Sequence, residues 1–166
     1  MSMTDPATAV NLADLRIRRQ TWVAADPNRV YGLISDVRAM SALSPAVLAA
    51  HYDEGHGPRV GAWFTGHNTH DGHEWRTRSQ VTEATPGVAF AWQVDSAGTS
   101  VVSWRYAFRP EGAGTVVEES WELLALLPVF GSTRADLLAL RARTVASIEA
   151  TLVALASTVA TASATH

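Results

Sequence analysis

From Pro45 to Leu124 the chain alternates apolar and polar residues with a period near two, then changes to one long stretch of helical period. A period of two puts successive side chains on opposite faces of a sheet. About eighty residues of it, punctuated by turn signals, make an antiparallel meander rather than a set of crossover units. The punctuation is Glu54-Gly55-His56-Gly57-Pro58, Asp71-Gly72, Thr85-Pro86-Gly87, Asp95-Ser96-Ala97-Gly98 and Pro110-Glu111-Gly112-Ala113-Gly114. It predicts strands over 46–52, 62–70, 73–84, 88–94, 99–109 and 115–124. Such a sheet has an apolar face that must be covered, and one amphipathic helix at the end of the chain can cover it.

Ahead of the meander, residues 16–24 alternate and predict a first strand, with Ile17, Arg19, Thr21 and Val23 on one face. Asp26-Pro27 is a helix start, an N-cap acceptor followed by proline at the first helical position. Val30, Leu33, Ile34 and Val37 follow at helical spacing, and Met40 to Leu43 add a second turn stopped before Pro45. At the other end, Thr133 and Asp136 have the spacing of a capping box. Leu137, Leu140, Val145, Ile148, Leu152, Leu155 and Val159 then form one stripe on a helix of about 25 residues. The expected fold class is α+β. It is a helix-grip fold in which a curved antiparallel β-sheet of about six to seven strands wraps around a long C-terminal α-helix, with a short helix pair after strand 1. A sheet this wide and a single helix close incompletely, which predicts a cavity between them. One domain is expected over 15–161, with a flexible arm at 1–14 and a frayed tail at 162–166.

The chain has 166 residues, 13 basic and 16 acidic, for a net charge of −3 with histidine neutral, so it carries no electrostatic footprint for nucleic acid. There is no cysteine, which excludes disulfides, thiolate metal sites and thiol nucleophiles. There is no lysine either, which excludes Schiff-base chemistry and a phosphate-loop lysine. The start lacks a basic region followed by an apolar core. The longest apolar run, Leu123 to Phe130, is too short to span a bilayer. A cytoplasmic protein without membrane insertion is expected.

Asp71-Gly72 fixes a register, because a type I′ turn needs positive φ at both central residues. His70 then opposes His73, Thr69 opposes Glu74, Asn68 opposes Trp75 and His67 opposes Arg76. One face carries Phe64, Asn68, His70, His73, Trp75, Thr77 and Ser79, a mixture of aromatic, amide, imidazole and hydroxyl groups. That composition suits a half-polar cavity better than a dry core.

The order of elements and their motifs resemble the START-like (SRPBCC) superfamily, and most closely its polyketide cyclase/dehydrase group, with its aromatase/cyclase-like members. Ala25-Asp26-Pro27-Asn28-Arg29-Val30-Tyr31-Gly32-Leu33-Ile34-Ser35-Asp36 resembles the opening of that group, and Met40 to Pro45 its helix pair, with Leu43 where the family often has tryptophan. Gly61-Ala62-Trp63-Phe64 with Gly66-His67-Asn68 resembles one internal strand. Thr82-Glu83-Ala84-Thr85-Pro86-Gly87 with Phe90-Ala91-Trp92 resembles the next turn and strand, and Glu119-Ser120-Trp121-Glu122-Leu123 the last strand. The resemblance covers about residues 16 to 160 and implies that the concave face forms a ligand pocket. Members range from cyclases and dehydratases to carriers and receptors, so the resemblance does not choose an activity.

Alternation says which residues point into that pocket. On the last strand Thr115, Val117, Glu119, Trp121 and Leu123 share a face, which makes Glu119 an inward carboxylate; burial would raise its pKa toward neutrality. The alternative is that Glu119 pairs with an arginine such as Arg105. His70 and His73 face one another at the hairpin tip and could shuttle protons if the tip folds inward. No metal and no cofactor are expected, since the spacing supplies no third ligand. Asn68, opposite Trp75 and deeper than the histidines, must satisfy its amide with a neighbour or a ligand. The candidate catalytic set is therefore Asn68, Tyr106 and Glu119, with His70 and His73. The candidate ligand-binding set is Phe64, Trp75, Thr77, Trp92, Trp104, Trp121 and Phe130. Arg19 also faces inward, to meet an acidic ligand or to snorkel. Leu126 to Phe130 is an apolar loop that would serve as a lid or as the contact of a homodimer. The expected function is binding of a small hydrophobic molecule, aromatic or polyketide-like, with cyclisation, dehydration or a related proton transfer; the alternative is a non-catalytic carrier or sensor.

Overall fold

The computed structural model describes residues 2–164. Seven strands form one antiparallel sheet: β1 (Ile17–Val23), β2 (Val47–Tyr52), β3 (Trp63–His70), β4 (His73–Thr85), β5 (Ala89–Ser96), β6 (Thr99–Glu111) and β7 (Gly114–Leu123). Their order across the sheet is β1-β7-β6-β5-β4-β3-β2, so the meander runs from β2 to β7 and β1 closes onto β7. Helices α1 (Pro27–Ser35) and α2 (Val37–Ser41) follow β1, and α3 (Arg134–Ala164) ends the chain. This is the helix-grip fold that the alternation predicts.

Local chemistry accounts for the three helix starts and the β3–β4 turn. Asp26 caps α1 by accepting from the Arg29 N–H at 3.0 Å, and Asp36 caps α2 by accepting from Arg38 and Ala39. Thr133 and Asp136 form the reciprocal box: Asp136 N–H donates to Thr133 Oγ1 at 3.2 Å, and Thr133 N–H donates to Asp136 Oδ2 at 3.0 Å. Asp71 and Gly72 have φ of 49° and 78°, and all four predicted pairs of the hairpin stand opposite one another. The stripe of α3 is buried at Leu137, Leu140, Ile148, Leu152, Leu155 and Val159. The helix runs 31 residues rather than about 25.

Three features differ from the sequence expectation. Residues 2–15 are not a bare arm. They make two short 3-10 turns, bury Ala7 and Leu15, and bridge Pro6 to Thr133 at the start of α3. The alternation of β4 breaks at a bulge between Val81 and Glu83, which turns Glu83 outward beside Ala91. The β3–β4 hairpin also outruns the sheet: β5 pairs with β4 only as far as Arg78, which leaves His73 to Thr77 without a neighbour on that side. The tail expected to fray, 162–166, extends beyond the described residues.

The convex face is polar and ion-paired, with Arg16–Glu122 at 3.1 Å, Arg18–Glu118 at 3.4 Å and Arg105–Glu83 at 2.8 Å. The concave face is aromatic. Tyr31 of α1 meets Phe90 and Phe108 edge-on at 6.2 and 6.1 Å, so the helix pair closes one end of the grip. Among the described residues no helix is long and apolar enough to cross a membrane.

Candidate functional site

Register places Tyr106 of β6 directly opposite Glu119 of β7, and Trp104 opposite Trp121 one pair further on. Phe90 and Trp92 of β5 complete the same two rows. Because a sheet face repeats every second residue, these six side chains share the concave surface. Trp92 lies at its centre, stacked on Trp104 at 6.1 Å and on Tyr106 at 6.0 Å, with Phe64 edge-on at 5.8 Å. At the level of Glu119 the space predicted as a cavity is filled by Phe90, Trp92, Tyr106 and Trp121, all buried.

Glu119 is the exception in this apolar lining. It is 3% exposed, and its Oε1 has no hydrogen-bond partner. Burial of a carboxylate away from water raises its pKa, here up to about 8; the neighbouring Tyr106 hydroxyl favours the charged form and offsets part of the rise. Tyr106 is itself pushed well above the usual phenol range, first by burial and then by the carboxyl beside it. Arg105, the alternative partner, points to the convex face and holds Glu83. Arg19 stands opposite Glu119 on β1, yet its guanidinium is spent on Glu149 of α3 at 3.2 Å and on the Arg18 carbonyl at 2.9 Å. The result is an acid that burial biases toward its neutral form.

The predicted site residues therefore divide. Tyr106, Glu119, Phe64, Trp92, Trp104 and Trp121 come together on the concave face. Asn68, Thr77, Trp75, His70 and His73 share that face too, but they lie on the projecting hairpin, with β4, β5 and β6 between Asn68 and Glu119. Asn68 satisfies its amide internally, donating from Nδ2 to Thr77 Oγ1 at 3.1 Å. Trp75 is 39% exposed and stacks on the exposed His73 at 5.7 Å, while His70 lies 3.3 Å from Asp71. Phe130 sits in a 3-10 turn, Pro128–Phe130, partly buried against the core, with Val129 beside it 74% exposed.

Gly66 is a residue that sequence reasoning did not single out. It faces Thr77, and a Cβ there would come within 2.8 Å of Thr77 Oγ1 and 3.6 Å of Asn68 Nδ2. The signal was a glycine inside a strand, the mark of a close approach. Two open clefts lie elsewhere. One of about 340 Å³ runs between residues 128–132 and α3 at Asp136, Ala139 and Arg143; the other, about 270 Å³, lies between α2 and β2 at Arg38, His51, Tyr52 and His56. Neither reaches Glu119 or Tyr106.

No curated protein matches the chain. Among solved structures, a polyketide-cyclase-like protein of Corynebacterium glutamicum is 32% identical over 86% of this chain and 89% of its own, with a TM-score of 0.59. The di-domain ARO/CYC StfQ from the steffimycin biosynthetic pathway superposes with a TM-score of 0.73 at 18% identity, over 90% of this chain; the match covers 52% of StfQ, about half its length. A protein of Thermus thermophilus gives a TM-score of 0.69 at 20% identity, over 89% of this chain and 99% of its own. At such identities the last two likenesses concern the fold alone. The sequence pattern of the polyketide cyclase/dehydrase and lipid transport family spans residues 14–160, from the end of the first turns to the last stretch of α3, and the chain belongs to that family.

Proposed function

We propose that this protein takes a small, largely apolar molecule with an aromatic or polyketide-like body into the interior of the grip, and catalyses a cyclisation, dehydration or related proton transfer on it. The observation that carries this reading is the Glu119–Tyr106 pair: a buried acid with an unpartnered oxygen, held in an otherwise aromatic lining. A polar group with no partner in such a place costs stability. A ligand atom that engages it recovers that cost and is held where a proton can move. Glu119 would transfer the proton, Tyr106 would steady the charge that develops, and the tryptophan faces would orient the body, so that positioning supplies much of the rate. Entry would be from the end where Trp75 and Trp104 are the more exposed aromatics, opposite the end closed by Tyr31. Asn68, Thr77 and the His70–His73 pair would then line the approach rather than the reacting centre.

Native mass spectrometry of the protein purified without denaturation tests this. An apolar compound of one-to-one stoichiometry is expected, released intact on unfolding. Incubated with fresh protein, it should be converted or should be recognisable as the product. Wild-type turnover by both Glu119→Gln and Tyr106→Phe would contradict the assigned roles. Recovery of an unchanged compound that tolerates both substitutions would mark the protein as a carrier.

A further inference from the structure

The cleft between α2 and β2 lies away from Glu119, and its donors and acceptors do not match. Its walls carry two carboxylates, Asp36 and Asp53, and three groups with N–H donors, Arg38, His51 and His56, beside the carbon surfaces of Val37 and Tyr52. Both acids are engaged. Asp36 Oδ1 accepts the Arg38 and Ala39 amides at 3.1 and 3.3 Å, as the cap of α2. Asp53 takes the Arg78 fork on both oxygens, at 2.6 and 2.8 Å, and that guanidinium is held 5.3 Å from the centre of the Trp63 ring. The Tyr52 hydroxyl is spent on the Ser35 carbonyl at 2.7 Å. The nitrogen donors are not engaged. His56 Nδ1 accepts the Trp63 N–H at 2.9 Å, which pins the ring and leaves its proton on Nε2. Among the described residues no acceptor meets that Nε2–H, the His51 imidazole or the Arg38 guanidinium. Both histidines stand near Asp53, since after Arg78 they help to hold its carboxyl below the usual range.

Donors from two walls call for an anion with several oxygens. A carboxylate has two, which one guanidinium fork satisfies, so it makes no use of the histidines. A phosphate monoester has three terminal oxygens and can take Arg38 from α2 together with His51 and His56 from the facing wall. The space, 270 Å³, is about nine times the ~30 Å³ share of one water molecule. It holds the phosphate and a compact stem, for which Val37 and Tyr52 supply apolar contact. The Asp36 carboxylate disfavours a second anionic group beside the first. We infer that the α2–β2 cleft is a second ligand site, which binds a small phosphate monoester through Arg38, His51 and His56. This site stands whether or not Glu119 transfers a proton.

Phenyl phosphate, benzoate, phenol and inorganic phosphate, titrated into the full chain at constant ionic strength, test this through the ring resonances of His51 and His56. Phenyl phosphate should shift both rings to saturation and bind about tenfold more tightly than benzoate or phenol, with inorganic phosphate between them. Arg38 and His51 are exposed, so their variants should fold normally. Arg38→Gln should weaken phenyl phosphate about tenfold, Arg38→Lys should restore part of the loss, and His51→Gln should weaken it while the His56 ring still shifts. Glu119→Gln should leave this binding unchanged. Benzoate as tight as phenyl phosphate, shifts at only one ring or at neither, or indifference to Arg38→Gln would overturn the inference, and so would loss of binding in Glu119→Gln. Inorganic phosphate as tight as the ester would overturn the assignment of a ligand with a stem.

Discussion

Glu119 is the residue on which stability and function pull in opposite directions. Its pKa is raised from 4.5 to about 8, so the folded state holds a proton that the unfolded chain releases. Below pH 4.5 the carboxyl is neutral in both states. As pH rises from there to about 8 the unfolded chain ionises first, and stability falls; above that range the loss is complete. Glu119→Gln removes this dependence, so its stability relative to wild type should climb between pH 5 and pH 8.5, by an amount on the order of 4 kcal/mol. Urea unfolding at several pH values measures it, and a flat difference would contradict the burial of this acid. Tyr106→Phe removes the hydroxyl that favours the carboxylate and should raise the Glu119 pKa further, readable by carbon-detected NMR. The inward direction of Glu119 and Tyr106 was legible, because alternation along β7 and β6 is unbroken through both. That neither Arg105 nor Arg19 neutralises Glu119 was not: their partners, Glu83 and Glu149, are 22 and 130 residues away along the chain.

At the scale of elements, the β3–β4 hairpin separates what sequence can and cannot reveal. Turn chemistry at Asp71-Gly72 sets which residues oppose each other, and every expected pair is found. How far the hairpin reaches past β5 follows from strand length, since β4 has 13 residues and β5 has 8, whereas the outward turn of Glu83 depends on the bulge between Val81 and Glu83, which carries no turn residue to announce it. The overhang carries Asn68 and Trp75 away from Glu119, although the three share a face. Gly66 supports this overhang by letting Thr77 and Asn68 meet. Gly66→Ala should cost about 1–3 kcal/mol through the clash with Thr77 Oγ1. Thr77→Ala in the same chain should return part of it, and an unfolding double-mutant cycle checks the coupling. At the other end of the fold, Thr133→Ala should cost about 1 kcal/mol by opening the box that starts α3.

For the whole molecule, the grip has a closed end and a more open one. Tyr31, Phe90 and Phe108 interlock where α1 packs, while Trp75 and the turn at Val129 are exposed. The fold was legible because a long period-two meander and one amphipathic helix have few ways to cover each other. The degree of filling between them was not, since it depends on how Phe90, Trp92, Tyr106 and Trp121 interleave across two rows of side chains. A ligand that binds only the folded state stabilises it by mass action, so the apolar compound that co-purifies should raise the Tm of wild type when added back in excess. The most direct measurement is an NMR titration of protein labelled at the glutamate carboxyl carbon. One resonance, absent in Glu119→Gln, should titrate near pH 8. If no resonance that Glu119→Gln lacks titrates near pH 8, Glu119 is not the buried acid on which the proposed function rests.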